Sequence, residues 1–94
     1  MSVFREDVLS GQVALVTGGG SGIGAAIAIG LAAHSARVAV CGRTQAKLDA
    51  TVSAIAAAGG EAIGIAADVR KFDQLEALMR AIDDRWGRLD VLIN

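Results

Sequence analysis

The sequence predicts an α/β fold, a doubly wound parallel sheet cut off after its fourth strand. Three observations carry that prediction. Four short apolar runs, VALV (13–16), VAVC (38–41), AIGIAA (62–67) and LDVLI (89–93), recur along the chain. Most are continuously apolar instead of alternating, as strands covered on both faces are. Helical patterns fill each gap between them, so the order reads β-α-β-α-β-α-β with right-handed crossovers. The third observation is TGGGSGIG at 17–24, five glycines in eight positions directly after the first run.

Each element has its own justification. The first helical pattern places Ile23, Ile27 and Leu31 four apart, and the second places Leu48, Val52 and Ile55 on one stripe. The third has Phe72, Leu75, Leu78, Met79, Ile82 and Trp86 on an apolar stripe, with Asp73, Glu76, Arg80 and Asp84 elsewhere. Thr44 is placed to cap the second helix, Gly59–Gly60 to end it, and Gly87 to close the third. The first helix has no terminal glycine. His34–Ser35 stands at that corner, and because a non-glycine residue is uncommon in the left-handed region, the corner is expected to be either strained or differently shaped. In a doubly wound sheet the fourth strand returns beside the first, and a crevice opens at the carboxyl ends of these two strands. The glycine-rich loop and Asn94 both fall there.

Composition narrows the function classes. Of 94 residues, 53% are hydrophobic and 20% charged, which suits one small globular domain. Net charge is −1 with nine scattered Lys and Arg, so neither a nucleic-acid nor a membrane partner is expected. The opening MSVFREDVLSGQ carries Arg5, Glu6 and Asp7 and lacks the apolar core of a secretory signal. The single cysteine, Cys41, forms no internal disulfide, and a cytoplasmic location is expected. Cys41 is read as a small buried hydrophobe, His34 as a surface residue and Trp86 as core.

Five glycines need a reason, because each costs roughly 0.5–1 kcal/mol relative to Ala through lost chain entropy. A helix N-terminus carries unpaired N–H groups and about half a positive charge. The first turn here is Ile23, Gly24, Ala25 and Ala26, with no acid to occupy that charge. Glycines ahead of it let backbone amides approach an anion closely, the logic of a pyrophosphate cradle. A P-loop is excluded, because Ala25–Ala26 follows Gly24 where Lys-Ser/Thr is required. The dinucleotide pattern G-x-G-x-x-G/A matches only as Gly20, Gly22 and Ala25, late after the strand. A glycine-rich turn for tight strand-to-helix packing is the competing reading.

The pattern T-G-x-x-x-G-x-G, here Thr17, Gly18, Gly22 and Gly24, resembles the short-chain dehydrogenase/reductase family. CGRT at 41–44, ADV at 67–69 and LDVLIN at 89–94, the last similar to the start of L-D-x-L-V-N-N-A-G, come in the family's order. The resemblance implies a Rossmann-type fold in which residues 1–94 form the amino-terminal part of one NAD(P)-binding domain. It implies a cofactor-binding set of Thr17, Gly18, Gly20, Ser21, Gly22, Ile23 and Gly24 in the loop. Asp68 and Val69 would face the adenine, and Asn94 would lie near the cofactor ribose. Otherwise Asp68 caps a turn or the third helix, and Asn94 simply ends a strand.

Cofactor choice turns on the residues at the end of the second strand. An acid there accepts both ribose hydroxyls of NAD and repels the extra phosphate of NADP. This chain has Gly42 and then Arg43, so NADP is expected over NAD unless Arg43 is an ordinary surface residue. Lys47, one turn on, either adds positive potential or is merely solvated. By resemblance the complete enzyme is a homo-oligomer that exchanges a hydride with a carbonyl or activated double bond of a small molecule. The opening FREDVLSGQVALVTGGGSGIG looks somewhat like members acting on acyl thioesters. The family's proton-transfer Tyr, with its Lys four residues on and a Ser, has no counterpart, because the chain contains no tyrosine. No catalytic or metal-binding residue is therefore assigned, and the chain is expected to be the cofactor half of a longer enzyme. A nonenzymatic NADP-binding sensor and a nonfunctional truncated product are the alternatives.

Overall fold

The computed structural model describes residues 9–94, so Arg5, Glu6 and Asp7 lie outside the described residues. In chain order the elements are β1 (Val13–Thr17), α1 (Gly22–Ala33), β2 (Arg37–Gly42), α2 (Gln45–Ala57), β3 (Glu61–Ala66), α3 (Phe72–Trp86) and β4 (Val91–Ile93). All strands are parallel, in the order β3-β2-β1-β4. This is the predicted doubly wound Rossmann-type arrangement, with β4 returning to the far side of β1. Leu15 pairs with Ala39 on one side and Leu92 on the other.

Period-two alternation divides the core between two faces. Val16, Val38 and Val40 pack with Ala28 of α1 and with Leu48 and Ile55 of α2. Val13, Leu15, Ala39 and Cys41 point the other way and pack with Leu78 and Ile82 of α3. The two inner strands are covered on both faces, which is why their runs are continuously apolar.

Several expectations are corrected. Ile23 and Ile27 lie outside the core, at 80% and 36% exposure, and the buried residue of α1 is Ala28. Nearly every residue of GIGAAIAIGLAA is apolar. Hydropathy alone cannot choose a face in such a helix, so close approach to the sheet selects the small side chains. Phe72, the first residue of α3, is also exposed, while Leu78 and Ile82 hold the stripe. Thr44 occupies the N-cap position of α2, but its hydroxyl makes no capping hydrogen bond. Leu89 and Asp90 precede β4 instead of joining it. His34 is half-buried.

The corners fit the sequence. Ser35 has φ 74°, taking the left-handed conformation that a glycine would adopt without strain at such a corner, and Gly59 and Gly87 are left-handed at the ends of α2 and α3. Among the described residues no helix is long and apolar enough to cross a membrane.

Candidate functional site

The β1–α1 loop is fixed by the sheet before it offers anything to a ligand. Gly18 has φ +71°, which only glycine adopts without strain, and its N–H donates to the Cys41 carbonyl at 2.8 Å. The N–H of Gly19 donates to the same oxygen at 3.1 Å. Ser21 turns back on the loop, donating from its N–H and its hydroxyl to the Gly18 carbonyl at 3.1 and 2.9 Å. A Cβ on Gly24 would overlap that same carbonyl oxygen and lie 2.7 Å from its carbon. Side chains on Gly19 and Gly20 would collide with Val40 and with Lys47. Four of the five glycines thus have a reason inside the protein. Gly22 does not: a Cβ there would meet nothing within 4 Å.

The start of α1 is electrostatically bare. Its N-cap residue, Ser21, makes no side-chain cap, and its first turn holds no acid. The start of α2 is the same, whereas α3 carries Asp73 in its first turn. Both bare N-termini open on the crevice at the carboxyl ends of the strands.

Two adjoining hollows occupy that crevice and share Gly18, Gly42 and Arg43. One, of about 300 Å³, reaches Thr17, Asp68, Val69 and Arg70. The other, of about 280 Å³, is bounded by Gly20, Ser21, Thr44 and Lys47. Thr17, at the end of β1, brings in Asn94 by donating its hydroxyl proton toward Asn94 Oδ1 at 3.0 Å and the Ile93 carbonyl at 3.3 Å. Gly22, Ile23 and Gly24 form the first turn of α1 beside the loop.

Asp68 is tightly engaged. Its Oδ1 accepts from the Arg70 backbone N–H and from Arg70 Nε, both at 3.0 Å, and its Oδ2 accepts from Arg70 Nη2 at 2.9 Å. The guanidinium of Arg70, and then its backbone N–H, hold this carboxyl well below the usual carboxylate range. The carboxylate therefore stays ionised at ordinary pH. Four hydrogen-bond positions exist on a carboxylate, and three are used here, leaving one open on Oδ2. The Cys41 thiol is buried, and burial pushes its pKa up, so it is not a poised nucleophile. Among the described residues no group of His, Cys, Asp or Glu could hold a metal ion.

Residues 12–94 match the sequence profile of the short chain dehydrogenases. The chain belongs to this family. It is 45% identical over 93 residues to a peroxisomal 2,4-dienoyl-CoA reductase of Arabidopsis thaliana, covering 99% of this chain and 31% of that protein. A citronellol catabolism dehydrogenase of Pseudomonas aeruginosa PAO1 superposes with a TM-score of 0.94 at 39% identity, over 99% of this chain and 39% of the other. A metagenomic short-chain oxidoreductase solved in complex with NADP gives a TM-score of 0.83 at 47% identity, over 88% of this chain and 38% of the other. The chain thus spans about a third of the length of such relatives.

Around this crevice, sequence reasoning missed three supporting residues. Arg70 braces Asp68 through its backbone N–H in an Asx turn, which the Asp alone made legible, and through its guanidinium, which it did not. Gln74 accepts the Asp68 N–H at 2.7 Å through its side-chain oxygen, reaching back from the first turn of α3. Thr51 of α2 donates to the Gly19 carbonyl at 2.9 Å. That contact joins residues 32 apart, and nothing in the local sequence marks it.

Proposed function

We propose that this chain is the dinucleotide-binding portion of an NADP(H)-dependent short-chain oxidoreductase. The observation that carries the reading is the pairing of two features across one crevice. A glycine loop and a bare helix start line one hollow together with Gly42, Arg43 and Lys47. The site fits the group: at Gly22 the absence of a side chain serves no packing need inside the protein, which leaves its open side for a ligand. The amides of Gly20, Gly22, Ile23 and Gly24 would hold the diphosphate, with Gly18 shaping the turn and Ser21 bracing it from within. Thr17 and Asn94 would lie at the ribose. Asp68, through the open position on Oδ2, and Val69 would receive the adenine.

Cofactor preference in this reading rests on Arg43. No carboxylate stands at position 42 to repel a 2′-phosphate, and the bare start of α2 adds favourable potential. The relative solved with NADP supports the choice of phosphorylated cofactor over NAD. When bound, the dinucleotide supplies or accepts the hydride. The substrate would be a carbonyl or activated double bond of a small molecule, and the similarity to a dienoyl-CoA reductase favours an acyl thioester. Since these 94 residues include no tyrosine, the proton-transfer residue would belong to another part of the enzyme.

The test is a pair of affinities in the full-length protein. A charge-assisted hydrogen bond is worth roughly 1.5–3 kcal/mol, so Arg43→Ala should weaken NADP binding about 10- to 100-fold. NAD binding should change little. Equal losses for the two cofactors would refute the phosphate contact.

A further inference from the structure

Thr51 is the buried polar side chain of the described core, 5% exposed, and it lies on the inner face of α2. Its hydroxyl has one proton to give and two carbonyls in reach. Gly19 O, across the structure, is at 2.9 Å, and Lys47 O, one turn back, is at 3.3 Å. The shorter contact leaves the helix and enters the glycine loop. Gly18, Gly19 and Gly20 are three glycines in a row, so the loop has almost no steric preference of its own. Whatever conformation it keeps must be imposed from outside.

Gly19 is held on three sides. Its N–H donates to Cys41 of β2, its Cα faces Val40 too closely to admit a Cβ, and its carbonyl accepts from Thr51. The described chain contains no cis peptide, and in a trans peptide the C=O and the next N–H point in opposite directions. With the Gly19 carbonyl drawn toward α2, the N–H of Gly20 is turned away from it. Gly20 lines the hollow that also contains Ser21, Arg43 and Lys47.

We infer that Thr51 is a positioning residue for the dinucleotide site: it locks the Gly19–Gly20 peptide so that the loop presents its amides in a fixed array. This rests on the reading of the loop as a phosphate cradle. Thr51 touches no ligand itself. Without its hydroxyl the Gly19 carbonyl loses its buried donor, and a glycine–glycine peptide is free to rotate.

The experiment compares wild type, Thr51→Val and Thr51→Ser in the full-length protein. Valine keeps the shape and removes the donor, and serine restores the donor. In the ligand-free protein, amide exchange at Gly19, whose N–H is held by the Cys41 carbonyl, should rise about tenfold in the valine variant and return toward wild type in the serine variant. The valine variant should also bind NADPH about tenfold more weakly. Its affinity for adenosine 2′-monophosphate, which lacks the diphosphate, should stay within about twofold. Unchanged exchange, or a parallel loss of both ligands, overturns the role for Thr51, because a merely structural hydroxyl would give one or the other. If wild type binds NADPH and the valine variant binds it equally well, the positioning role fails alone. If wild type binds no dinucleotide although the valine loop loosens, the positioning role fails together with the cofactor reading beneath it.

Discussion

The two ends of the sheet are built from different chemistry. At the amino ends of the strands, charged side chains close the corners. Glu61, the first residue of β3, accepts from Trp86 Nε1 at 2.8 Å and pairs with Arg85 at 3.2 Å and Arg37 at 3.5 Å. That one carboxylate ties β2, β3 and the end of α3 together. Asp90 accepts the Val13 N–H at 2.8 Å while Arg88 holds its other side, fixing β4 against β1. At the carboxyl ends the glycine loop is closed mainly by backbone, through the Cys41 and Gly18 carbonyls, helped by the short hydroxyl side chains of Ser21 and Thr51 on the Gly18 and Gly19 carbonyls. There the cations Arg43 and Lys47 line a hollow. Substitutions among the charged pairs at the amino ends should therefore leave cofactor binding intact, whereas those in the closely packed loop bear on stability as well.

The largest expected effect tests the loop's own economy of space. Gly24→Ala drives a Cβ onto the Gly18 carbonyl, and overpacking of this kind costs about 1–3 kcal/mol. Denaturant unfolding of the ligand-free protein should show that loss, and NADP binding should fall with it. Gly22→Ala is the matched control, because its Cβ enters open space. Its stability should stay within about 0.5 kcal/mol of wild type. Its NADP affinity should nevertheless drop about tenfold, or roughly 1.4 kcal/mol, if a phosphate approaches that Cα. Equal destabilisation by both substitutions would mean that the loop's glycines serve packing only.

At the other end, Glu61→Gln removes the charge from a carboxylate whose side chain is 43% exposed. Solvent screening limits pairs of this kind to about 0–1 kcal/mol. A small drop in Tm is expected, with the ratio of NADP to NAD affinity unchanged. A shifted ratio would break the separation between the two ends.

The legibility of each feature depends on the range of the interaction behind it. The strands, their order and an unusual corner at His34–Ser35 could be read because each depends on composition or on immediate neighbours. The inner face of α1 could not, because Ile23, Ile27 and Ala28 are all apolar and the face is chosen only once the helix packs against the sheet and α2. Thr44 looked like a cap because its position is right, yet its hydroxyl does not make the bond. The loop residues and Arg43 were singled out from two separate segments, and the fold brings them to one hollow. Thr51 and Gln74 were not, since each meets its partner only after folding brings a helix to a loop.

The smallest effect concerns pH and falls on both ends at once. The Arg88 guanidinium, and then the Val13 N–H, hold the Asp90 carboxyl below its ordinary range. Arg70 does the same to Asp68 at the crevice. A carboxyl whose folded pKa is depressed adds stability that is complete above its unfolded value of about 3.9. That stability is lost as pH falls from there toward the folded pKa, because the unfolded chain then binds more protons than the native one. Stability should therefore rise with pH in the window below about 4 and flatten above it. Asp90→Asn keeps an oxygen for Val13 and removes the titration, so its curve should be shallower in that window, with cofactor binding at neutral pH unaltered. Asp68→Asn should flatten the same window and also weaken NADP, since its carboxylate faces the crevice. If Asp68→Asn bound NADP as wild type does, the Asp68–Arg70 pair would belong with Asp90 and Arg88 as a fold-closing clamp, and the division between the two ends would not extend to the β3–α3 corner.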